Sequence, residues 1–536
     1  MSLKLYEEND VQKLADAIRT KNGKTDKYKL SEMPEAVESI TTGEYNIEQI
    51  IDGDECELVI TTALNIGDLV IPLPEAFANA GNIYWFKFND DKYLISANIS
   101  NIGVWEYSKS SNTITQLYAS AYNWQYFQIV GNNCLISTTL SGYGILLYDS
   151  KANTITKLYN DGYDWKYFQI IENNCLISGR SNGILLYNSS NNTIIKLYNE
   201  NSNWQYFQVI GNKCLISSSS TLINIGILLY NNSDNTITKL YESGHSWNIF
   251  QIVGNNCLIN SSSSNSIGIL LYNNSDNTIT KLYESGYDRR YFQVIDNKCL
   301  IGSHNSSTTG YGILLYNNLN YTISVLYEDA YWLYFQPVGN KCLISGNTTN
   351  TGILLYDSTT DIITQIYESG YLWRYFQIIE DDFLISGNNG VLLYNKSENS
   401  ILELYTSGSG WQYFQVVGNN CLITSGGSEQ GVLVYSILNK IITKLYSNGY
   451  HYKIFKNIGN NCLISSIYSD TGILLYNGEN NSIKKYGGGY NYDKFTQDTG
   501  NNYYIESTDK TKSPYKLYYN DTDKTVKLIG YTIVEA

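Results

Sequence analysis

A segment of fourteen residues recurs along this chain at a nearly fixed interval. "WQYFQIVGNNCLIS" (124–137) is followed by "WKYFQIIENNCLIS" (165–178) and "WQYFQVIGNKCLIS" (204–217). Successive copies are 38 to 43 residues apart. The residue in the cysteine position marks each copy: Tyr93, Cys134, Cys175, Cys214, Cys257, Cys299, Cys342, Phe383, Cys421, Cys462 and Tyr503. Self-similarity at a fixed period indicates a repeat architecture more strongly than any local secondary-structure pattern does. The chain is therefore expected to be a repeat protein with eleven copies from about residue 83 onward.

Each copy contains four short strand candidates. They are typified by "WQYFQIV", "CLIS", "GILLYN" and "TITKLY", all rich in β-branched and aromatic residues and bounded by Asn, Gly and Ser. The second and third are nearly continuous apolar runs, as expected of strands covered on both faces. Four antiparallel strands in about 41 residues are typical of a β-propeller blade. The sequence therefore predicts an all-β fold, a large β-propeller of about eleven four-stranded blades over residues 83–536.

Eleven blades exceed the usual four to eight of this fold. No composition break divides the array, which favours one unusually wide ring. Two stacked rings or an open β-solenoid remain open as alternatives.

The connections between strands are of two kinds. Five residues join the third strand to the fourth in every copy, as in "DSKAN" (149–153), and the first two strands are joined by a constant turn such as "GNN". Strand parity places these two connections at one end of every blade. The second-to-third connection varies from three residues (387–389) to nine (303–311) and lies at the other end. The varied end is either a ligand face or a set of unconstrained loops.

Aromatic residues recur in the five-residue loop between consecutive blades, at this varied end. A ring beside short polar side chains suits the binding of neutral sugars, so these positions form the candidate ligand site. The same rings could instead seal the gap between blades. The candidates are Tyr122, Tyr163, His245, Tyr287, Tyr331, Tyr371, Tyr450 and Tyr490. The tryptophan that opens most first strands, as at Trp165, is expected to pack between blades instead.

Eight of the nine cysteines share one repeat position, and only Cys56 lies outside the array. Equivalent positions of neighbouring blades are too far apart for a disulfide, and no CxxC or Cys/His spacing is typical of zinc. The thiols are therefore expected to be free, buried packing residues.

Composition excludes several functions. The chain carries 50 acidic and 36 basic residues, a net charge of −14, which disfavours nucleic acid and anionic membranes as partners. The three histidines, His245, His304 and His451, lie in separate repeats, and no catalytic or phosphate-binding motif has a supporting context. The acidic runs at 89–92 and 380–382 lack the ligand pattern of a calcium loop. We expect no catalytic residue, no metal and no cofactor.

The first eighty residues depart from the repeat. Residues 1–43 have helical spacing and capping signals around "ENDVQKLADAIRTKNGK" and "SEMPEAVESI", which predict a small helical hairpin that attaches or oligomerises the chain. Residues 44–82 are expected to be a connecting segment of a few strands and a helical turn. The polar, acidic start of the chain does not have the pattern of a signal peptide.

Residues 11–40, "VQKLADAIRTKNGKTDKYKLSEMPEAVESI", resemble a short module of phage tail-fibre, baseplate and receptor-binding proteins of Firmicutes phages and phage-derived particles. The match covers about thirty residues. The resemblance implies an N-terminal segment near the particle and a C-terminal domain that meets the host, with synthesis in the bacterial cytoplasm and location in a virion or phage-like particle.

Three functional hypotheses follow. The first is a receptor-binding protein whose repeat domain adheres to a host-surface glycan or protein, while residues 1–43 contact other tail proteins or further copies of this chain. The second is a structural scaffold with unselected loops. The third, a cofactor-dependent propeller enzyme, has no residues to support it.

Overall fold

The computed structural model describes residues 45–528 apart from short internal gaps. The gaps are 53–54, 67–68, 78–79, 81, 100, 120–122, 163, 181, 201, 220–225, 243–245, 262–267, 285–288, 304–311, 329–331, 347–350, 371, 409, 427–430, 448–450, 467–471, 487–491, 499 and 507–515. The helical hairpin predicted for residues 1–43 lies outside the described residues. The chain divides into two compact units, Met1–Asn248 and Ile249–Ala536.

The described part of the first unit begins with a three-stranded antiparallel sheet and a 3-10 turn. These are β1 (Tyr45–Asp52), β2 (Glu55–Ile66), β3 (Leu69–Leu73) and the turn Glu75–Phe77. Four four-stranded sheets follow. Sheet 1 is β4 (Ile83–Lys87), β5 (Lys92–Ala97), β6 (Val104–Ser108) and β7 (Thr113–Tyr118); sheet 2 is β8 (Trp124–Val130), β9 (Asn133–Thr138), β10 (Ile145–Asp149) and β11 (Thr154–Tyr159). Sheet 3 is β12 (Trp165–Ile171), β13 (Asn174–Gly179), β14 (Ile184–Asn188) and β15 (Thr193–Tyr198); sheet 4 is β16 (Trp204–Ile210), β17 (Lys213–Ser218), β18 (Ile227–Asn231) and β19 (Thr236–Tyr241).

The second unit contains seven sheets of the same kind. Sheet 5 is β20 (Ile249–Val253), β21 (Asn256–Asn260), β22 (Ile269–Asn273) and β23 (Thr278–Tyr283); sheet 6 is β24 (Tyr291–Ile295), β25 (Lys298–Gly302), β26 (Ile313–Asn317) and β27 (Thr322–Tyr327). Sheet 7 is β28 (Trp332–Val338), β29 (Lys341–Gly346), β30 (Ile353–Asp357) and β31 (Ile362–Tyr367); sheet 8 is β32 (Tyr375–Ile379), β33 (Asp382–Gly387), β34 (Gly390–Asn395) and β35 (Ser400–Tyr405). Sheet 9 is β36 (Trp411–Val417), β37 (Asn420–Ser425), β38 (Val432–Ser436) and β39 (Ile441–Tyr446); sheet 10 is β40 (Tyr452–Ile458), β41 (Asn461–Ser466), β42 (Ile473–Asn477) and β43 (Ser482–Tyr486); sheet 11 is β44 (Lys494–Gln497), β45 (Tyr503–Glu506), β46 (Lys516–Asn520) and β47 (Thr525–Leu528).

Strand order within each sheet follows the order of the chain. All eleven four-stranded sheets are antiparallel meanders in which each strand pairs with the next one in sequence. The predicted eleven copies, the all-β class and the order of the four strands are therefore confirmed. No helix in the described part of the chain has the length and apolar character of a membrane span.

The hydrophobic core lies between consecutive sheets. Second and third strands are buried almost throughout, because both of their faces meet another sheet. Between sheets 2 and 3, Ile145 and Leu147 pack against Trp165, Cys175 and Tyr187. The same positions meet between other neighbouring sheets of each unit.

The cysteines are part of these cores. Eight are buried with free thiols: Cys134, Cys175, Cys214, Cys257, Cys299, Cys342, Cys421 and Cys462. Each thiol donates a long hydrogen bond to the carbonyl of the next residue, as Cys175 Sγ does to Leu176 O at 3.5 Å. The prediction of free packing thiols is confirmed for these eight, while the side chain of Cys56 lies outside the described part.

The connecting segment covers one face of sheet 1. Ile71, Leu73 and Phe77 are buried against Tyr93 and Ile95. Since a terminal repeat would otherwise expose its apolar face, the β1–β3 sheet acts as a cap for the array.

A glycine precedes the third strand in sheets 1 to 10, except in sheet 8, where Gly390 is the first residue of that strand. At Gly352 φ is +65°, and a Cβ there would lie 1.9 Å from the carbonyl oxygen of Tyr367, the last residue of the fourth strand. Only a residue without a side chain lets the two strands approach this closely. The equivalent glycines are Gly103, Gly144, Gly183, Gly226, Gly268, Gly312, Gly390, Gly431 and Gly472.

One end of the sheets is joined by a repeated hydrogen-bond network. Asn133 at the start of β9 donates its amide to the Tyr187 hydroxyl at 3.2 Å and to Asn192 Oδ1 at 2.8 Å, both in the next sheet. Tyr187 in turn donates to Asn192, whose φ of 55° closes the five-residue connection. Because each turn bonds to its neighbour's turn, this end has a fixed pattern. The structure confirms the predicted grouping of the two constant connections at one end.

Charged pairs replace the asparagines at some of these junctions, and their polarity is not constant. Lys298 of sheet 6 contacts Asp361 of sheet 7 at 2.5 Å. Two sheets later the signs are reversed, since Asp382 of sheet 8 contacts Lys440 of sheet 9 at 2.8 Å. The junctions are therefore alike in position but different in charge.

This reversal gives a stability prediction. We expect Lys298→Asp alone to lower stability by about 1 kcal/mol, because it places two carboxylates together at a partly exposed site. Adding Asp361→Lys should restore most of this loss, since it reproduces the arrangement of Asp382 and Lys440. Thermal unfolding midpoints of the two single variants and the double variant measure the effect. A double variant no more stable than Lys298→Asp would contradict the assignment.

Candidate functional site

The structure does not describe any of the ligand residues predicted from the loops. Tyr122, Tyr163, His245, Tyr287, Tyr331, Tyr371, Tyr450 and Tyr490 all lie outside the described residues. Most of the variable second-to-third connections lie outside them as well. The candidate ligand face therefore stays a prediction, and the structure describes the residues that flank it.

An aromatic pair holds the two ends of most inter-sheet loops. Tyr159, which ends β11, meets Trp165, which begins β12, edge to face with ring centroids 5.8 Å apart. The Trp165 indole Nε1 also donates to the Asp161 carbonyl at 3.1 Å, inside the loop itself. The same pair recurs at Tyr118–Trp124, Tyr198–Trp204, Tyr241–Trp247, Tyr327–Trp332, Tyr367–Trp373 and Tyr405–Trp411. The prediction that these tryptophans pack between sheets is confirmed.

A buried hydroxyl binds the backbone where the next sheet begins, at several junctions. Ser137 Oγ, on the second strand of sheet 2, donates to the Trp165 carbonyl of sheet 3. Ser178, Ser217, Ser345 and Ser386 make the same bond to the next sheet's tryptophan. The serine of "CLIS" is thus an inter-sheet bond donor at the end where the predicted ligand loops begin.

Arg289 replaces the tryptophan at one junction. Its guanidinium is buried, lies 5.8 Å from the Tyr283 ring centroid and donates to the Gly312 carbonyl at 3.0 Å. Burial lowers the pKa of Arg289 from its ordinary value. This cation is used in packing.

The first strand of each sheet is an edge strand, and in sheets 2 to 9 a glutamine of that strand partly covers its backbone. Gln377 Nε2 donates to the carbonyl of Ile378 at 2.9 Å, and Gln336 and Gln415 do the same to the residues that follow them. The Tyr375 hydroxyl donates to Gln412 Oε1 on the next sheet's first strand. Amide and phenol groups therefore link the first strands of sheets 8 and 9, and Tyr167 and Gln205 link those of sheets 3 and 4 in the same way.

In the second unit these strands line a concave groove of about 650 Å³, called here the first-strand groove. Its walls alternate aromatic rings with amides and carry two cations. The lining residues from sheets 7 to 10 are Leu333, Tyr334, Phe335, Gln336, Arg374, Tyr375, Phe376, Gln377, Gln412, Tyr413, Phe414, Lys453 and Phe455. A smaller groove of about 340 Å³ occupies the equivalent positions of sheets 1 to 3 in the first unit.

The first-strand groove carries positive side chains, although the protein as a whole is acidic. None of the eleven first strands contains an aspartate or a glutamate, although the chain carries 50 acidic residues. Arg374 lies 4.8 Å from the centroid of the Tyr375 ring, and its Nε is buried without a hydrogen-bond partner. Lys453 is exposed at the other side of the groove. Within the described part of the chain, neither cation pairs with a carboxylate.

Sequence reasoning missed this groove because it assigned the first strands to the scaffold. The sequence does contain an indication of the groove, at the repeat position that follows the tryptophan position of each first strand. That position holds glutamine in several copies (Gln125, Gln205, Gln412) but a cation at Lys166, Arg290, Arg374 and Lys453.

The first-strand groove presents aromatic rings, amides and cations on one surface, which suits it to bind a ligand. Within the described ranges, no three His, Cys, Asp or Glu side chains come close enough to hold a metal ion. The acidic runs noted above are occupied by structural contacts: Asp90 pairs with Lys87 at 2.8 Å, and Asp382 pairs with Lys440.

No family model matches this chain, and no curated protein matches it. Among solved structures, the extracellular domain of the one component system BT4673 from B. thetaiotaomicron is 12% identical, with 91% of this chain and 72% of that chain covered and a TM-score of 0.25. AztD from Citrobacter koseri is 11% identical over 57% of this chain and 93% of that chain, with a TM-score of 0.31. The computationally designed Ika8 protein is 8% identical over 56% of this chain and 93% of that chain, with a TM-score of 0.30. Likenesses at these scores carry no argument about this protein.

Proposed function

We propose that the chain is a phage-type tail or baseplate receptor-binding protein whose repeat domain adheres to a host-surface glycan or protein. Its N-terminal residues, 1–43, would attach it to the particle or to further copies of the chain. The resemblance of residues 11–40 to the tail-protein module supports the attachment role. The protein would act by binding alone, in a virion or phage-like particle.

The observation that carries the adhesive role is the difference between the two ends of each sheet. One end is bonded from sheet to sheet through groups such as Asn133, Tyr187 and Asn192. The other end carries connections of three to nine residues, framed by rigid pairs such as Tyr159 and Trp165. A fixed frame that presents varied loops is a common design for recognition. Several similar weak sites on one chain would also gain avidity.

We further propose that the eleven sheets are the blades of one β-propeller ring, with the first strands innermost. The face-to-face packing of consecutive sheets within each unit supports this arrangement. Class averages of the purified protein viewed along the axis by electron microscopy should show eleven blades. Two smaller rings or an open filament would contradict it.

Binding of the full-length protein to purified Firmicutes cell walls tests the adhesive role. We expect saturable binding that Tyr163→Ala combined with Tyr371→Ala weakens about tenfold, because both rings lie in the proposed ligand loops. The melting temperature of this variant should stay close to that of the unchanged protein. A large drop in melting temperature would show instead that the rings are structural.

A matched control is available at the other end of the sheets. Tyr321 is 43% exposed and lies in the constant connection of sheet 6. Tyr321→Ala should leave wall binding unchanged. Failure of the full-length protein to bind any wall preparation would favour the scaffold role.

A further inference from the structure

We propose that the first-strand groove of the second unit binds an acidic polysaccharide, with Arg374 and Lys453 pairing with its carboxylate or phosphate groups. This inference goes beyond the proposed function, because it places a ligand on the strands instead of the loops and specifies a charged one. It stands whether or not the chain belongs to a tail.

The first argument is local charge. The net charge of −14 belongs to the chain as a whole, whereas the first strands carry no acidic side chain. Arg374 and Lys453 face the same groove without a carboxylate partner among the described residues. A concave surface with uncompensated cations attracts anions even on an acidic protein, since nearby charges outweigh those beyond the Debye length of roughly 8 Å at physiological salt.

The second argument is the chemistry between the two cations. Tyr334, Tyr375 and Tyr413 occupy equivalent places in sheets 7, 8 and 9, and the groove also contains the equivalent Gln336 and Gln377 and, at a different position, Gln412. Rings and amides are the groups that contact sugar faces and hydroxyls. Their repetition from sheet to sheet suits a ligand that is itself a linear repeat.

The third argument concerns charge density. Arg374 of sheet 8 and Lys453 of sheet 10 are separated by the first strand of sheet 9, which carries the neutral Gln412 at the same position. That spacing suits a polysaccharide with an acidic group only every few sugars. A nucleic acid, with a phosphate on every nucleotide, would place many more negative charges in the groove than its two cations can pair with.

The equivalent groove of the first unit provides an internal comparison. Its cation, Lys166, lies 3.0 Å from the Asp164 carboxylate and 5.3 Å from the Tyr167 ring centroid. The charge of Lys166 is therefore already compensated. Of the two grooves, as far as the structure describes them, the one in the second unit carries cations without a carboxylate partner.

Titration of the full-length protein with defined polysaccharides tests the inference. The probes are polygalacturonate oligosaccharides for carboxylate, phosphomannan for phosphate, dextran as a neutral polymer and a single-stranded DNA oligonucleotide. We expect at least one acidic polysaccharide to bind more tightly than dextran and DNA, with an affinity that falls as salt is raised. Arg374→Gln with Lys453→Gln should weaken this binding about tenfold, because two ion pairs are removed and glutamine is native at this position in other sheets.

The control variant removes the same number of charges elsewhere. Lys281 and Lys444 are exposed on fourth strands, and Lys281→Gln with Lys444→Gln should leave the affinity unchanged. Lys453→Gln alone, at an exposed site, should weaken binding about threefold and guards against a folding defect from changing the half-buried Arg374. Equal loss in both double variants, equal affinity for dextran, tighter binding of DNA, or no binding of either acidic polysaccharide would each overturn the proposal.

Discussion

Gly352→Ala is expected to destabilise the second unit by about 3 kcal/mol or more, although it adds a single methyl group. Alanine at the φ of +65° is disfavoured, and its Cβ would lie 1.9 Å from the Tyr367 carbonyl oxygen. The carbonyl belongs to the backbone of β31, so relief requires the third and fourth strands of sheet 7 to separate. The core between sheets 7 and 8, which includes Ile353 and Leu355, would be disturbed with them.

The same sheet supplies the control for this substitution. Gly339 has a nearly identical φ of +64°, but nothing lies within 4 Å of a Cβ at that position. Gly339→Ala should therefore cost only about 1 kcal/mol, the conformational part of the effect. Thermal and denaturant midpoints of the two variants separate the steric contribution from the conformational one. Equal destabilisation would show that close approach to Tyr367 is not what this glycine provides.

The second large effect is a collective loss of stability at alkaline pH. Burial raises the pKa of Cys134, Cys175, Cys421 and Cys462 from 9.0 to about 12, and it raises the pKa of the other four array thiols as well. Below pH 9 both the folded and the unfolded chain keep these protons, and the thiols add no pH dependence. Between about pH 9 and pH 12 only the unfolded chain loses them, so each thiol lowers the free energy of unfolding by about 1.4 kcal/mol per pH unit.

Buried tyrosines act in the same direction at slightly higher pH. Burial raises the pKa of Tyr230, Tyr272, Tyr394 and Tyr435 from 10.0 to about 12. We therefore expect the melting temperature to be nearly constant from pH 7 to 8.5 and to fall steeply above pH 9.5. Cys421→Ala should reduce the steepness of this fall relative to the unchanged protein, because one titrating group is removed.

Thiol reactivity checks the same explanation independently. At pH 8 the eight array thiols should react with Ellman's reagent far more slowly in the folded protein than after unfolding, since the thiolate is the reactive form and the side chains are buried. Rapid reaction of several thiols in the folded protein, or a melting temperature that does not change up to pH 11, would show that burial does not govern their ionisation.

The repeated period made the strands, their order and the buried thiols predictable, because each of these depends on contacts that every copy makes in the same way. The serine of "CLIS" and the asparagine equivalent to Asn133 recur in several copies of the sequence. Their hydrogen-bond partners lie in the next sheet, so the bonds could be identified only from the structure. The first-strand groove was missed for a different reason. Arg374 and Lys453 occupy a position that differs from copy to copy, and such variation in the sequence does not reveal that two of these side chains share a surface.

For the loop aromatics, the repeat predicts the position of each residue in the sequence but not its function. Their position is fixed in sequence by the Tyr and Trp residues on either side, as at Tyr159 and Trp165. What Tyr163 itself does depends on the loop alone, where neighbouring copies differ. Its role as a ligand residue therefore depends on the binding experiment.

The junctions between sheets also affect how such a chain can change its length. Nearly identical repeats favour unequal recombination, which removes or duplicates whole repeats. Most junctions would tolerate the gain or loss of a sheet, because the same core residues meet on either side. The charged junctions would not. Deleting sheets 7 and 8 together would join the Lys298 side of sheet 6 to the Lys440 side of sheet 9 and bring two lysines together. The polarity of these pairs therefore restricts which repeats can be removed or duplicated, and it gives an array of near copies a preferred order.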